Sequence, residues 1–431
     1  MCIINYERGV IMSLKPSNYM PRLIDKKIED LLQVSGAISI EGPKWCGKTF
    51  SSLNQASSVI NMDDELVRTR FELNPELVLN EKKPELIDEW TREPSIWDKI
   101  RRKCDSLETK GNYILSCSTS LNDNKEIFHS GAGRIARLKM NTMSLYESND
   151  STGDISIMDM YNGKEIAKSI KSPSLEYLAD LIIRGGWPAN INVPNDKYGI
   201  MPKSYIDSIL EKDIYESRNV DAIKMKKLLK SLARNESTIV SNNTLIKDIF
   251  DNDDLNIDKR TVSEYINILD KLNLFNNQPS YSLNYRSPER IGKNEKRHFT
   301  DPSLAVALLN LNRKKLIDDL KTFGFLFESL VERDLKIYMD YLNGNLYYFR
   351  DNVTGLEVDS ILEFEDGEYA AVEIKLGFNQ FNEAKENLLK FKDCMIKKPK
   401  FMCVICGYNE NIVKDLETGI YLIPITALKP L

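Results

Sequence analysis

Gly42-Pro43-Lys44-Trp45-Cys46-Gly47-Lys48-Thr49 constrains this chain more than any other stretch, because it fits G-x-x-x-x-G-K-[ST] at every fixed position. The apolar run Ala37 to Glu41 reads as a strand leading into it, and Phe50 to Ala56 reads as the helix that follows. Glycines let such a loop wrap closely, so that successive backbone N–H groups and the helix N-terminus face an anion. Gly42, Pro43, Lys44, Trp45, Cys46, Gly47, Lys48 and Thr49 are therefore expected to bind ATP. Lys48 would reach the β- and γ-phosphates, and the Thr49 hydroxyl would hold Mg²⁺. The implied fold is α/β.

An ATP-hydrolysing site also needs carboxylates on a neighbouring strand. Pro84-Glu85-Leu86-Ile87-Asp88-Glu89 offers Asp88 for the metal and Glu89 as general base for the attacking water. The apolar part, Leu86 and Ile87, is short, and the alternative is a helix-start cluster. A next strand, Asn112 to Leu115, runs into hydroxyl-rich Ser116-Cys117-Ser118-Thr119-Ser120. Ser116 or Ser118 is the candidate to sense the γ-phosphate.

Composition excludes several classes. With 431 residues, 42% of them hydrophobic and 29% charged, the chain has room for two to four globular domains. No run approaches the about 18 apolar residues of a membrane span. Met1 to Val10 carries Glu7 and Arg8 and does not resemble a secretory signal, so a cytoplasmic chain is expected. Met12 and Met20 are alternative starts. Seven cysteines without framework spacing imply free thiols; Cys403 and Cys406 have C-x-x-C spacing but sit in an apolar, strand-like run. The net charge of −5 divides unevenly. Residues 1–200 hold 26 basic and 28 acidic side chains, residues 201–300 hold 17 and 15, and residues 301–431 hold 16 and 21. Only the middle is basic, so contact with DNA would need a local patch.

Three further motifs follow the loop and the Asp-Glu pair in order: Ser130-Gly131-Ala132-Gly133-Arg134-Ile135, Met143-Ser144-Leu145-Tyr146-Glu147 and Arg184-Gly185-Gly186-Trp187-Pro188. Together they resemble a prokaryotic AAA-type ATPase family whose members end in a carboxyl-terminal domain of unknown function, type 4143. The resemblance spans nearly all of the chain after Tyr19 and implies ATP binding and hydrolysis. Within it, Arg134 or Arg137 is a candidate to stabilise phosphate charge, the alternative being a contact with solvent or a helix end. Arg184 is a candidate to approach the nucleotide from a lid. Self-association through the ATPase domain would allow a neighbouring subunit to supply such an arginine.

Residues 205–275 read as helices. Thr261 to Leu272 carries Val262, Tyr265, Ile266, Leu269 and Leu272 at helical spacing, preceded by Asp258-Lys259-Arg260. With strand-prone residues from Leu274 to Leu283, this suggests a winged helix whose Lys259, Arg260 and Ser263 would open toward a DNA groove, or a structural winged helix of the same shape.

The carboxyl-terminal part carries a second chemical signature. A helix presents Glu328, and strands V-D-S-I-L and V-E-I-K carry Asp359, Glu373 and Lys375. Residues two apart on a strand share a face, so Glu373 and Lys375 point the same way; if the strands pair, Asp359 meets Glu373. That would make a hard-oxygen Mg²⁺ site for phosphodiester cleavage, with Lys375 beside the nucleophile. The pattern resembles the PD-(D/E)xK restriction-endonuclease-like fold, although the segment before Asp359 lacks the proline of the motif.

The expected architecture is thus α/β throughout. Residues 1–18 are uncommitted, 19–200 form a P-loop AAA-type ATPase core with its lid, 201–300 a helical winged-helix middle domain, and 301–431 an α/β nuclease-like domain. The alternative is a nucleotide-dependent switch or DNA-binding protein with an inactive nuclease-like fold.

Overall fold

The computed structural model describes residues 14–107, 109–118, 130–214, 220–250, 258–284, 286–287 and 294–431. Residues 1–13, and Thr119 and Ser120 of the hydroxyl-rich loop, lie outside them. The chain forms two compact units, Met1–Met140 and Asn141–Leu431.

The first unit is built on five strands: β1 (Ala37–Glu41), β2 (Ser58–Asn61), β3 (Glu85–Asp88), β4 (Tyr113–Cys117) and β5 (Ile135–Lys139). They form one parallel sheet in the order β2-β3-β4-β1-β5. Helices α1 (Ile24–Val34), α2 (Lys48–Gln55), α3 (Glu65–Leu73) and α4 (Ser95–Ser106) cover it. Parallel strands covered on both faces need continuous apolar runs rather than alternation. Accordingly Ile38 and Ile40 of β1 pack with Leu86, Ile114 and Met140 in one core. Ala37, Ile87, Leu115 and the stacked Trp90 and Trp97, with ring centroids 5.3 Å apart, fill another. Each fully buried isoleucine or leucine side chain contributes about 1.5–3 kcal/mol.

Parallel topology also sorts the strand ends. Asp88 aligns with Ser116, and Glu41 with Cys117, so the loops after β1, β3 and β4 leave from one edge of the sheet. Arg134 immediately precedes β5, whose first residue aligns with Ala37 at the start of β1. It therefore stands at the opposite edge.

The second unit begins with β6 (Ile155–Ser156), α5 (Ile157–Tyr161), β7 (Ala167–Ser169), α6 (Leu175–Arg184) and α7 (Ile200–Ser208). Next come α8 (Ala222–Arg234), β8 (Thr238–Ile239), α9 (Asn242–Phe250), α10 (Lys259–Lys271) and β9 (Lys296–Arg297). Buried Val262, Tyr265 and Leu269 form the apolar stripe of α10, as the spacing predicts, and the Asp258 carboxylate caps it by accepting from the Thr261 N–H at 2.7 Å. β8 and β9 pair antiparallel, and Phe275 bridges to Phe299.

Helices α11 (Pro302–Leu308), α12 (Arg313–Asp318) and α13 (Leu320–Tyr341) follow, then β10 (Asn345–Arg350), β11 (Glu357–Glu363), β12 (Tyr369–Gly377), α14 (Phe381–Cys394), β13 (Phe401–Tyr408), β14 (Asn411–Lys414), β15 (Tyr421–Pro424) and β16 (Leu428–Lys429). The seven-stranded sheet runs β10-β11-β12-β13-β15-β14-β7. β10 to β12 form an antiparallel meander, and β12, β13 and β15 run parallel. α13 and α14 pack on β12. Cys403 and Cys406 are buried in β13, where their thiols are core groups.

The unit boundary departs from the one read at residue 200. The Met143–Glu147 and Arg184–Pro188 motifs belong to the second unit, where a buried polar network holds them. The Asp334 carboxylate accepts from the Leu145 N–H at 2.9 Å, and Asp301 accepts from the Thr142 hydroxyl and the Gly186 N–H, both at 2.9 Å. Arg333 donates to Asp301 at 3.1 Å and to Asp334 at 2.7 Å, so the buried charges are paired. Arg184, expected near nucleotide in a lid, is buried in this same unit on Asp150 at 2.5 Å.

Candidate functional site

The loop after β1 takes the shape its glycines permit. A Cβ on Gly42 would lie 2.3 Å from the Met140 carbonyl oxygen, and Gly47 adopts φ 106° as it caps α2. No side chain caps α2, which leaves its first N–H groups for a ligand. Cys46 turns its thiol inward, 3.7 Å from the Met140 oxygen, so it offers the loop only its backbone. Pro43 is buried, Lys44 half-buried, and Trp45 is 46% exposed at φ 65°.

Lys48 is buried, and its ammonium donates to the Gly42 and Pro43 carbonyls at 2.9 and 2.8 Å. The Thr49 hydroxyl reaches both Asp88 oxygens at 3.1 Å, and Ser116 also donates to Asp88. Glu89 turns into the left-handed region at φ 52°. That turn sets its carboxylate beside Ser118, which donates at 3.2 Å. Burial, reinforced by the neighbouring Asp88 charge, raises the Glu89 pKa, while Lys48 opposes the shift. The arrangement combines an anion cradle, two hard-oxygen donors at Thr49 and Asp88, and a buried base.

Two residues that the sequence did not flag brace this loop. Arg22, just ahead of α1, donates to the Cys46 carbonyl at 2.8 Å. Tyr19 donates to Asp25 at 2.5 Å and shares a 3.1 Å hydrogen bond with Ser51 of α2. Neither stands in a motif; only their place just before α1 marks them.

Arg134 requires correction. It pairs with exposed Asp105 at 2.6 Å, at the edge of the sheet away from the phosphate-binding loop, so the same chain does not deliver it to phosphate. Arg137 lies over the Trp97 ring, 5.5 Å from its centroid.

In the second unit the carboxylate cluster gathers as the strand alternation predicts. Asp359 Oδ2 accepts from the Ile374 N–H at 2.8 Å and lies 3.4 Å from Lys375 Nζ, which is 2.6 Å from Glu373. Asn387 of α14 donates to the other Glu373 oxygen at 2.7 Å. Burial, with Asp359 beside it, pushes Glu373 up to about 8. Burial raises the Glu328 pKa, Asp359 stands near enough for its charge to help raise it, and Lys296 pairs with Glu328. Among the described residues, no three carboxylate, imidazole or thiolate side chains form a metal-ligand set. Each acidic member of the cluster faces an ammonium.

Comparison with known proteins finds three family matches in order along the chain, the first of which runs past the boundary between the two units. Residues 35–149 match the AAA domain family, residues 175–315 a domain of unknown function, DUF8612, and residues 323–428 a domain of unknown function, DUF4143. The chain carries an AAA domain and a DUF4143 domain. No curated protein matches the sequence.

Among solved structures, a Walker-type ATPase of Pyrococcus abyssi aligns at 11% identity, over 69% of this chain and 97% of that one, with a TM-score of 0.43. Replication initiator DnaA bound to AMPPCP and single-stranded DNA aligns at 13% identity, over 57% and 86%, with a TM-score of 0.28. A signal transduction ATPase with a tetratricopeptide repeat sensor from Pyrococcus horikoshii aligns at 12% identity, over 78% and 55%, with a TM-score of 0.23. The AAA domain, with its loop intact, is an ATP-binding domain. No helix among the described residues is long and apolar enough to cross a membrane.

Proposed function

We propose that the protein hydrolyses ATP in its AAA domain, by attack of water on the γ-phosphate. The observation that carries this reading is the joint placement of Thr49 and Ser116 on Asp88, with buried Glu89 adjacent and Lys48 poised in the loop. A hydroxyl resting on a carboxylate is a donor set that fits Mg²⁺. When bound between Thr49 and Asp88, the ion supplies charge neutralisation for the phosphates.

The chain's own groups do the rest. Lys48 exchanges two neutral carbonyls for phosphate oxygens, a stronger charge-assisted contact. The N–H groups of the loop and of the first turn of α2 orient the phosphate chain. Glu89, made more basic by burial, takes the proton of the water, and Ser118 fixes the carboxylate that receives it. Glu89→Gln is expected to lower ATP turnover by about 10²–10⁴-fold while nucleotide binding persists. Unchanged phosphate release in that variant would reject the role.

A second reading concerns the rest of the chain. The convergence of Asp359, Glu373 and Lys375 supports a PD-(D/E)xK-like carboxyl-terminal domain, and exposed Lys259 and Arg260 at the start of α10 support contact with DNA phosphates through a winged-helix-like middle. In this reading DNA raises ATP turnover, and Lys259→Ala with Arg260→Ala removes the rise. Turnover indifferent to added DNA would sink it.

A further inference from the structure

A nuclease-like carboxylate cluster calls for a divalent cation, and here the cation position meets a side chain from another part of the chain. Lys296 on β9 is 3% exposed. Its ammonium pairs with Glu328, stands 2.8 Å from Glu332 Oε1 and lies 3.4 Å from the Asp359 backbone oxygen. Lys375 closes the other side on Glu373 and Asp359. Behind Glu332, His298 brings Nε2 to 3.0 Å, and its Nδ1 lies 3.4 Å from Glu236.

Magnesium would sit about 2.1 Å from its oxygen ligands, within the volume that these two ammonium groups occupy. Three cations, with four positive charges between them, would repel strongly when packed that closely in a buried site. The donor set in this conformation therefore does not fit the metal.

We infer that Lys296 is the resident cation of this cluster, taking the place of a divalent metal and keeping the carboxylates closed to Mg²⁺. The inference rests on reading the carboxyl-terminal domain as nuclease-like. Its source is informative: Lys296 lies inside the 175–315 match and outside the 323–428 match. One domain thus supplies the counter-charge of the next, and the donor set opens only when β9 withdraws. The short β8–β9 pairing and the bridge from Gln278 to Lys296 are what hold it in place.

The test is a Mn²⁺ titration followed by electron paramagnetic resonance, on the full chain without nucleotide. Wild type and Asp359→Asn should bind alike, because no ion depends on Asp359. The double variant Lys296→Met, Glu332→Gln removes one positive and one negative charge and leaves Glu328, Asp359 and Glu373. It should gain one Mn²⁺ ion, bound at least about tenfold more tightly than any in wild type, and adding Asp359→Asn should abolish it. If the double variant does not fold, the comparison of wild type with Asp359→Asn decides alone. Asp359-dependent binding in wild type would overturn the inference and leave the nuclease-like reading standing. A folded double variant that binds no ion would overturn both.

Discussion

The two charged sites of this molecule hold their lysines in opposite ways. In the AAA domain, Lys48 rests on two neutral backbone carbonyls, and the nearby carboxylates, Asp88 and Glu89, are held by hydroxyls. In the carboxyl-terminal domain, Lys296 and Lys375 rest on carboxylates. A cation on neutral acceptors is ready for an anion, because leaving them breaks no ion pair. A cation on buried carboxylates is locked, because leaving strands uncompensated charge. The first site is poised and the second is sealed, although both combine lysines with acids.

The contrast can be broken most forcefully at Lys48. Lys48→Ala should cut ATP turnover by at least about 10³-fold, since a pre-aimed donor at developing charge is lost; a phosphate-release assay checks it. A comparable loss from Lys375→Ala would erase the distinction between the sites.

The next largest effect is on stability and falls in the sealed cluster. Burial disfavours the charged imidazole of His298, yet Glu332 and Glu236 raise its pKa from 6.5 to about 9. A group raised on folding stabilises fully below its unfolded pKa and loses that contribution as pH climbs through the folded value. Stability should therefore fall between about pH 6.5 and 9, by on the order of 3 kcal/mol from His298. Glu328 and Glu373, each pushed up from 4.5 to about 8 chiefly by burial, add a loss that starts lower, between about pH 4.5 and 8. Calorimetric melts across pH should show the slope, and His298→Gln should flatten it. A flat wild-type profile would show that the cluster is not charged as described.

The smallest expected effect sharpens the poised site. Arg22→Ala removes one hydrogen bond to the loop backbone. Turnover should drop about tenfold or less, because misplacement of about 1 Å costs up to ~10²-fold. An effect as large as that of Lys48→Ala would mean that Arg22 touches nucleotide.

The poised site was largely legible before any coordinates. Its loop needs Gly42 and Gly47 for backbone reasons, so the chemistry is written in residue type at fixed spacing. Asp359, Glu373 and Lys375 were legible too, because strand alternation fixes which residues share a face. Arg134 was misjudged because spacing does not say at which edge of a parallel sheet a residue emerges; only the register of β5 on β1 does. The Met143 and Arg184 motifs were recognised as a pattern, but the buried network around them was not, since Asp301, Arg333 and Asp334 lie far along the chain. Lys296 could not be found in this way. It stands in no motif, and its meaning comes entirely from α13 and β11, more than 30 residues further on.

The strand β7 has a consequence for how the chain is made. It closes the edge of the seven-stranded sheet by pairing with β14, whose residues lie some 240 positions later, as with Ser169 and Asn411. At about 5–20 residues per second, a ribosome needs on the order of ten to fifty seconds to deliver the partner. Throughout that interval the AAA domain has everything required to fold, whereas the second unit must wait with an unpaired strand at its leading end. The pace of synthesis therefore sets how long that edge stays open.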